Sequence, residues 1–120
     1  MSEIAQIGVT LDNLKCLDFL KESKYFDELQ DAARFAAVLA VRNNLYKNKD
    51  LNIVGSNLQT RWNVSLVDPD HFIRDLVSTF ENKTEDLAIG MRSLIILGLD
   101  YIWSKIENGG MMIAEIFTTP

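Results

Sequence analysis

The sequence has few residues of the kinds that build a covalent framework or a reactive centre. Of its 120 residues, one is a cysteine, Cys16, and one is a histidine, His71. A single cysteine excludes an intramolecular disulfide, and nothing indicates an oxidising compartment. The sequence also lacks a phosphate-binding glycine loop, a paired metal-ligand spacing and a nucleophile motif. We therefore expect no enzymatic activity, no cofactor and no bound metal.

Long uninterrupted apolar runs are also missing. The most apolar stretch, residues 94–99, is flanked by Arg92 and Asp100, and it is far shorter than the roughly 20 residues that a membrane span needs. Residues 1–6 contain neither a basic region nor a long apolar run, unlike a signal peptide. These features predict a cytoplasmic protein without a membrane partner.

Positive charge is scarce overall and concentrated in one place. The net charge of −5 opposes nonspecific attraction to DNA phosphates. The basic residues Arg42, Lys47, Lys49 and Arg61 lie in or beside an Asn-rich connector, against only Asp50. We favour a solvated loop here, and the alternative is a local patch that binds nucleic acid.

The remaining composition is that of an ordinary globular protein. Hydrophobic residues make up 48% of the chain and charged residues 24%, close to the usual proportions. A chain of this length fits one domain, which we place at residues 1–120.

The order of predicted elements occurs twice along the chain. Alternating apolar residues at 5–11 predict a strand, followed by a helix from about residue 13 and a longer helix over 27–45. An extended segment at 62–67, a helix from residue 69 and a longer helix over 84–106 repeat that order. We predict a mainly α fold with four principal helices and short β-strands, in two similar strand-helix-helix halves. The halves would span residues 4–46 and 62–107, joined by the connector 47–61.

Three aspartates mark the expected helix starts. Asp12 would cap the first helix, and Asp27 with Gln30 resembles a capping box for the second. Asp68 followed by Pro69 is a strong start signal, because proline fits the first helical position.

Small residues predict a close crossing of the two long helices. Ala32, Ala36 and Ala40 are spaced by four and lie on one helical face. An offset of 58 residues aligns Ala32 with Gly90 and Ala40 with Gly98.

The reactive and charged side chains each have a structural interpretation that we favour. His71, near Asp68 and Asp70, fits helix capping and a surface position better than a metal site. Cys16 is expected to be a small packed side chain. Arg34 is expected to pair with Asp31 at the helix edge.

The last helix is apolar on nearly every side, which is typical of a central buried helix or of one shared with a partner. We therefore expect a homo-oligomer or a protein complex, and a non-enzymatic interaction module that works as an accessory or regulatory subunit. The expected oligomer interface consists of Leu94, Ile95, Leu99, Ile102 and Trp103.

The strand-helix-helix order resembles that of ribbon-helix-helix proteins, over residues 5–45 and more loosely over 62–106. In that family two strands form an antiparallel ribbon that enters the DNA major groove. The resemblance implies that Gln6, Gly8 and Thr10 read bases, and that the second helix, beginning here with Asp27 and Glu28, approaches phosphate. The alternative function is thus a DNA-binding transcriptional regulator or antitoxin. Its nucleic-acid-binding residues would be Gln6, Thr10, Arg42, Lys47, Lys49 and Arg61.

Overall fold

A computed structural model of the chain describes residues 6–23, 26–45, 59–79 and 87–107. Within these ranges the protein is mainly helical and carries one two-stranded antiparallel sheet, which confirms the prediction of a mainly α fold with short strands. The predictions for Lys47, Lys49 and most of the connector lie outside the described residues. The elements are β1 (Gln6–Val9), α1 (Leu11–Ser23), α2 (Leu29–Arg42), β2 (Gln59–Asn63), α3 (Val64–Val67), α4 (Phe72–Ser78) and α5 (Leu87–Glu107).

The sheet joins the two parts of the chain. Strand β1 pairs with β2 so that Ile7 lies opposite Trp62 and Val9 opposite Gln59, with an irregularity in register after Ile7. Ile7, Val9 and Trp62 are buried, so the alternating pattern correctly marks a strand with one face in the core. The strand is shorter than predicted.

Helix α1 begins one residue before the predicted cap at Asp12. The backbone N–H of Asn13 donates to the Thr10 hydroxyl at 3.1 Å, and the backbone N–H of Thr10 donates to the Asn13 side-chain oxygen at 3.1 Å. This reciprocal pair satisfies donors at the start of the helix, as a capping box does. The strand therefore ends at Val9, and Thr10, rather than Asp12, caps α1.

Helix α2 also starts later than predicted. Its N-cap residue is Glu28, and no side chain makes a cap hydrogen bond there. The predicted capping box of Asp27 and Gln30 is therefore wrong. The helix begins at Leu29, so the N-cap position falls on Glu28 and not on Asp27.

The predicted close crossing of the long helices is confirmed. Ala32, Ala36 and Ala40 on α2 are fully buried, and α2 packs along α5. The backbone of Gly98 on α5 lies directly against the backbone of Ala36, leaving no room for a Cβ atom. Small side chains thus set the distance between the two helices.

Helix α5 is the centre of the fold. It contacts α1, α2, α4 and β1, which explains why it is apolar on nearly every side. By length and composition α5 is also able to cross a membrane, although 61% of its most apolar window is buried inside the chain. The uninterrupted apolar run at residues 94–99 is therefore much shorter than the part of α5 in which apolar residues predominate.

Candidate interaction surface

A polar contact fixes helix α2 to the segment between α3 and α4. The Arg34 guanidinium donates to the Val67 carbonyl at 3.0 Å and to both carboxylate oxygens of Asp70 at 3.3 Å. The hydrogen bonds that Asp70 accepts from Arg34, with one from the Phe72 backbone N–H, lower the pKa of Asp70. Arg34 therefore pairs with Asp70, 36 residues away, and the predicted partner Asp31 is wrong.

The segment after α3 is held by a buried carboxylate. Asp68 is buried, and its two oxygens accept from the backbone N–H groups of Ile73 at 2.9 Å and Arg74 at 3.1 Å. Asp68 thus accepts from the first turn of α4, as a cap does, but the N-cap position is His71, and the prediction that Pro69 is the first helical residue is wrong. The helix itself begins at Phe72, because His71 adopts a left-handed conformation with φ of 60°.

Residues before Asp68 differ from the prediction as well. The expected extended segment over 62–67 ends at Asn63, and α3 is a single helical turn. This turn places the Val67 carbonyl beside Arg34 and leaves the Leu66 side chain half exposed.

Three large apolar side chains near the Arg34–Asp70 pair are exposed to solvent. Val38 follows Arg34 by one helical turn and is 40% exposed; Leu66, beside Val67, is 50% exposed; Phe72, bonded through its N–H to Asp70, is 46% exposed. Residues four apart share a helical face. We call this group the Arg34 surface, consisting of Arg34, Val38, Leu66, Asp70 and Phe72.

Other exposed apolar residues belong to α1. Leu11 is 61% exposed, whereas Phe19 packs edge-on against Trp103 with ring centroids 6.1 Å apart. Such an aromatic pair contributes about 1 kcal/mol beyond its buried area. The Phe19 side chain is therefore already partly covered within the chain.

Polar groups connect α1 to α5. The Asn13 side-chain amide donates to the Asp100 carboxylate at 2.8 Å. Desolvation raises the pKa of Asp100 despite this bond. Burial, with a smaller effect from Asp100, raises the pKa of Cys16 to about 12. Cys16 therefore stays a protonated, packed thiol, which makes it a poor nucleophile.

Replacing Asp100 by Asn should remove an unfavourable, pH-dependent contribution to the free energy of folding. A raised carboxyl pKa in the folded protein stabilises the fold below the unfolded value of about 3.8, and this stabilisation is lost as pH rises through the folded pKa. Asp100→Asn keeps an acceptor for Asn13. We expect its free energy of unfolding, relative to wild type, to increase as the pH is raised from 3 to 7, because the wild-type carboxyl then ionises in a partly desolvated site. Urea titrations across that range measure the difference, and a difference independent of pH would contradict the assignment.

The residues that the ribbon-helix-helix resemblance assigns to DNA occupy mixed positions. Gln6 is exposed, Gly8 is buried, and Thr10 is half-buried and bonded within the cap. Arg42 is exposed at the end of α2. Arg61 lies on β2, its side chain being outside the described residues. Of the predicted base readers, only Gln6 is exposed.

The residues predicted for an oligomer interface lie mostly inside the single chain. Leu94, Ile95, Leu99 and Ile102 are buried in the core, and Trp103 is half-buried against Phe19. Packing by neighbouring helices within one chain accounts for their apolar character. An interface that used the four buried residues would require the chain to open.

The structure groups no metal ligands among the residues it describes. No cluster of three or more His, Cys, Asp or Glu side chains occurs within residues 6–23, 26–45, 59–79 and 87–107. Asp68 and Asp70 are engaged by backbone N–H groups and Arg34, while His71 is exposed.

Sequence reasoning missed the Arg34 surface. Phe72 belongs to a pattern that looks like a buried helical face, and Leu66 to the segment predicted to be extended, so neither pattern marks an exposed side chain. Val38 carried a usable signal, because it lies on the side of α2 opposite the Ala32, Ala36 and Ala40 face. An apolar residue opposite a buried face is a candidate for contact with a partner.

Comparison of the chain with protein-family models, curated proteins and solved structures found no match.

Proposed function

We propose that the protein is a non-enzymatic interaction module, an accessory or regulatory subunit that binds protein through the Arg34 surface. The observation that carries this proposal is the exposure of Val38, Leu66 and Phe72 around one polar contact. Interfaces commonly combine exposed apolar and aromatic residues with an arginine. We further propose a cytoplasmic location; burial of most of the apolar window of α5 inside the chain fits a core helix rather than a membrane span.

The anchoring of this surface supports binding without large rearrangement. Arg34 ties α2 to the Val67 carbonyl, and the buried Asp68 carboxylate holds the start of α4. The exposed side chains therefore project from elements whose backbones are fixed to each other. A preorganised surface loses less conformational entropy on binding than a flexible one.

DNA binding is the alternative function. We also propose that the chain consists of two related strand-helix-helix halves, and one observation favours both proposals. Strands β1 and β2 pair antiparallel, and each is followed by helices. This arrangement suits a ribbon formed within one chain. The charges favour the protein-binding proposal: Asp27, Glu28 and Asp31 are exposed at the start of α2, where the DNA-binding family meets phosphate.

Capture from native cell extract tests the proposal with a matched pair of variants. We expect the double variant Leu66→Ser and Phe72→Ser to retain the fold and to lose specific partners by at least about tenfold, since truncating interface anchors costs roughly 2 kcal/mol or more. Leu11→Ser is the control, because Leu11 is exposed on α1, outside this surface. Quantitative mass spectrometry after crosslinking compares the three proteins.

Recovery of the same proteins in the same amounts by all three would contradict the proposal. Thermal unfolding of each variant before capture separates loss of binding from loss of folding.

A further inference from the structure

The apolar centre of the Arg34 surface is uncovered by the residues that the structure describes. Val38, Leu66 and Phe72 are exposed, and none of them belongs to the core or to the partly buried side chains packed against it. Arg34 and Asp70, in contrast, bond to each other. The three apolar side chains are therefore the part of this surface that gains most from burial by a partner.

The three apolar residues are linked through one contact. Val38 lies one turn, about 6 Å, beyond Arg34 along α2. Leu66 directly precedes Val67, whose carbonyl accepts from Arg34 at 3.0 Å, and the backbone N–H of Phe72 donates to the carboxylate that pairs with Arg34. An amphipathic helix presents side chains at i, i+3 and i+7 along about 10 Å of one face. One helix therefore has the dimensions to cover all three.

Two carboxylates border this apolar centre. Asp31 precedes Val38 by seven residues, which places both side chains on nearly the same line along α2, two turns apart. Asp75 follows Phe72 by three residues, so the two are neighbours on α4. Both aspartates are exposed, and neither belongs to an ion pair within the part of the chain that the structure describes. The border of the apolar centre is therefore acidic.

The basic side chains of the same helices are already engaged. Arg34 donates to a carbonyl and a carboxylate of the chain, and Arg42 on α2 and Arg74 on α4 also have partners within it. Asp31 and Asp75 are therefore left to pair with cations that a partner brings.

The acidic border discriminates between kinds of occupant. A second copy bound through this surface would bring two acidic borders together, because a two-fold interface uses the same patch on both subunits. DNA and anionic lipid surfaces are repelled for the same reason, and the net charge of −5 adds to this effect. A protein segment with lysine or arginine beside its apolar residues matches both the centre and the border.

We propose that the Arg34 surface binds a basic amphipathic helix of another protein. The apolar side of that helix covers Val38, Leu66 and Phe72, and its lysine or arginine side chains pair with Asp31 and Asp75. This inference rests on the proposed function, since it names the kind of partner that the same surface takes. Docking of an amphipathic helix through apolar anchors is a recurrent mode of recognition, and charges at the border give it specificity.

Two synthetic helical peptides of about 15 residues test the inference with the full chain. Both carry leucines at i, i+3, i+4 and i+7; the first has lysines at the flanking positions, and the second has glutamates there. We expect the wild-type protein to bind the lysine peptide at least about tenfold more tightly, because opposite charges meet only in that complex. Fluorescence anisotropy of labelled peptide over roughly 1 μM to 1 mM protein measures both affinities.

Variants of the border separate local charge from total charge. Asp31→Lys with Asp75→Lys should weaken binding of the lysine peptide by at least about tenfold, since like charges then face each other. The neutral pair Asp31→Asn with Asp75→Asn should produce a smaller loss. Asp18→Lys with Glu22→Lys is the matched control, because it changes exposed residues of α1 by the same amount of charge. We expect its affinity to stay within about threefold of wild type.

The apolar centre is tested without any change in charge. Leu66→Ser with Phe72→Ser should weaken binding of the lysine peptide by at least about tenfold, because the anchors of the complex are lost. Circular dichroism and thermal unfolding verify that every variant is folded.

Three results would overturn the inference: wild type binds neither peptide, it binds both equally, or the α1 control loses as much affinity as the lysine variant of the border. Capture from cell extract with that border variant distinguishes this failure from failure of the proposed function. Partners that are lost with the Leu66 and Phe72 variant but retained with the Asp31 and Asp75 variant would keep the proposed function and reject the basic helix. Retention of all partners by both variants would reject the proposed function itself.

Discussion

Gly98→Ala should destabilise the fold by about 3 kcal/mol. In an exposed helix this change normally stabilises by about 1 kcal/mol, because alanine has the higher helix propensity. Here a Cβ atom at Gly98 meets the backbone of Ala36 rather than a flexible side chain. Helix α2 has to move away from α5, and the contacts around Ala32 and Ala40 loosen with it. Steric overlap therefore outweighs helix propensity.

Chemical denaturation measures this effect directly. The free energy of unfolding is obtained from urea titrations of wild type and variant. Ser104→Ala is the control, because Ser104 is exposed on the same helix and its replacement should change stability by less than about 0.5 kcal/mol. A stabilised Gly98→Ala protein would show that the two helices are not in close contact at this point.

The second large effect is expected at Asp68. Asp68→Ala leaves the N–H groups of Ile73 and Arg74 without their carboxylate acceptor, and the Ile73 hydrogen bond is buried. Loss of a cap costs about 1 kcal/mol, and a buried donor without a partner costs more. We expect a total loss of about 2–3 kcal/mol. Asp68→Asn, which keeps one acceptor oxygen, should lose roughly half as much.

Asp75→Ala is the control that separates loss of the Asp68 hydrogen bonds from an effect of any substitution in α4. Asp75 is exposed in the same helix, and we expect its replacement to change stability by less than about 0.5 kcal/mol. Hydrogen exchange at Ile73 and Arg74 provides a local measure, since both amides should exchange faster in Asp68→Ala. Unchanged protection at both positions would contradict the capping role.

Features that depend on local periodicity were predictable from the sequence. The spacing of Ala32, Ala36 and Ala40 identified the buried face of α2, and the glycine at 98 indicated where α5 approaches it. Alternation around Ile7 and Val9 identified β1. These patterns are reliable because a helix or strand buries one face whatever its partner is.

Helix ends and long-range contacts were harder to predict. Asp68 was recognised as a cap, yet α4 begins at Phe72, because the left-handed conformation of His71 delays the helix. A propensity argument does not reveal such a backbone conformation. Arg34 was assigned to Asp31, its neighbour in sequence, whereas it bonds to Asp70. That partner is brought close only by the packing of α2 against the α3–α4 segment.

The Arg34 surface shows why a candidate site was less predictable than the fold. Leu66 and Phe72 look like core residues in sequence, since the chain gives no sign of which apolar side chains stay outside. The apolar character of α5 suggested an interface there, but Leu94 and Ile95 are buried within the chain. Exposure becomes visible only after the other helices are in place.

The most direct test of the central claim is the molar mass of the purified protein in solution. Light scattering at low salt is performed at increasing protein concentration, with and without random duplex DNA. A module that binds protein and not DNA should have the same mass with and without DNA at every protein concentration, whether or not it self-associates. A protein that stays monomeric by itself and gains mass with DNA, in a manner reversed by salt, would contradict the claim and favour the ribbon-helix-helix alternative.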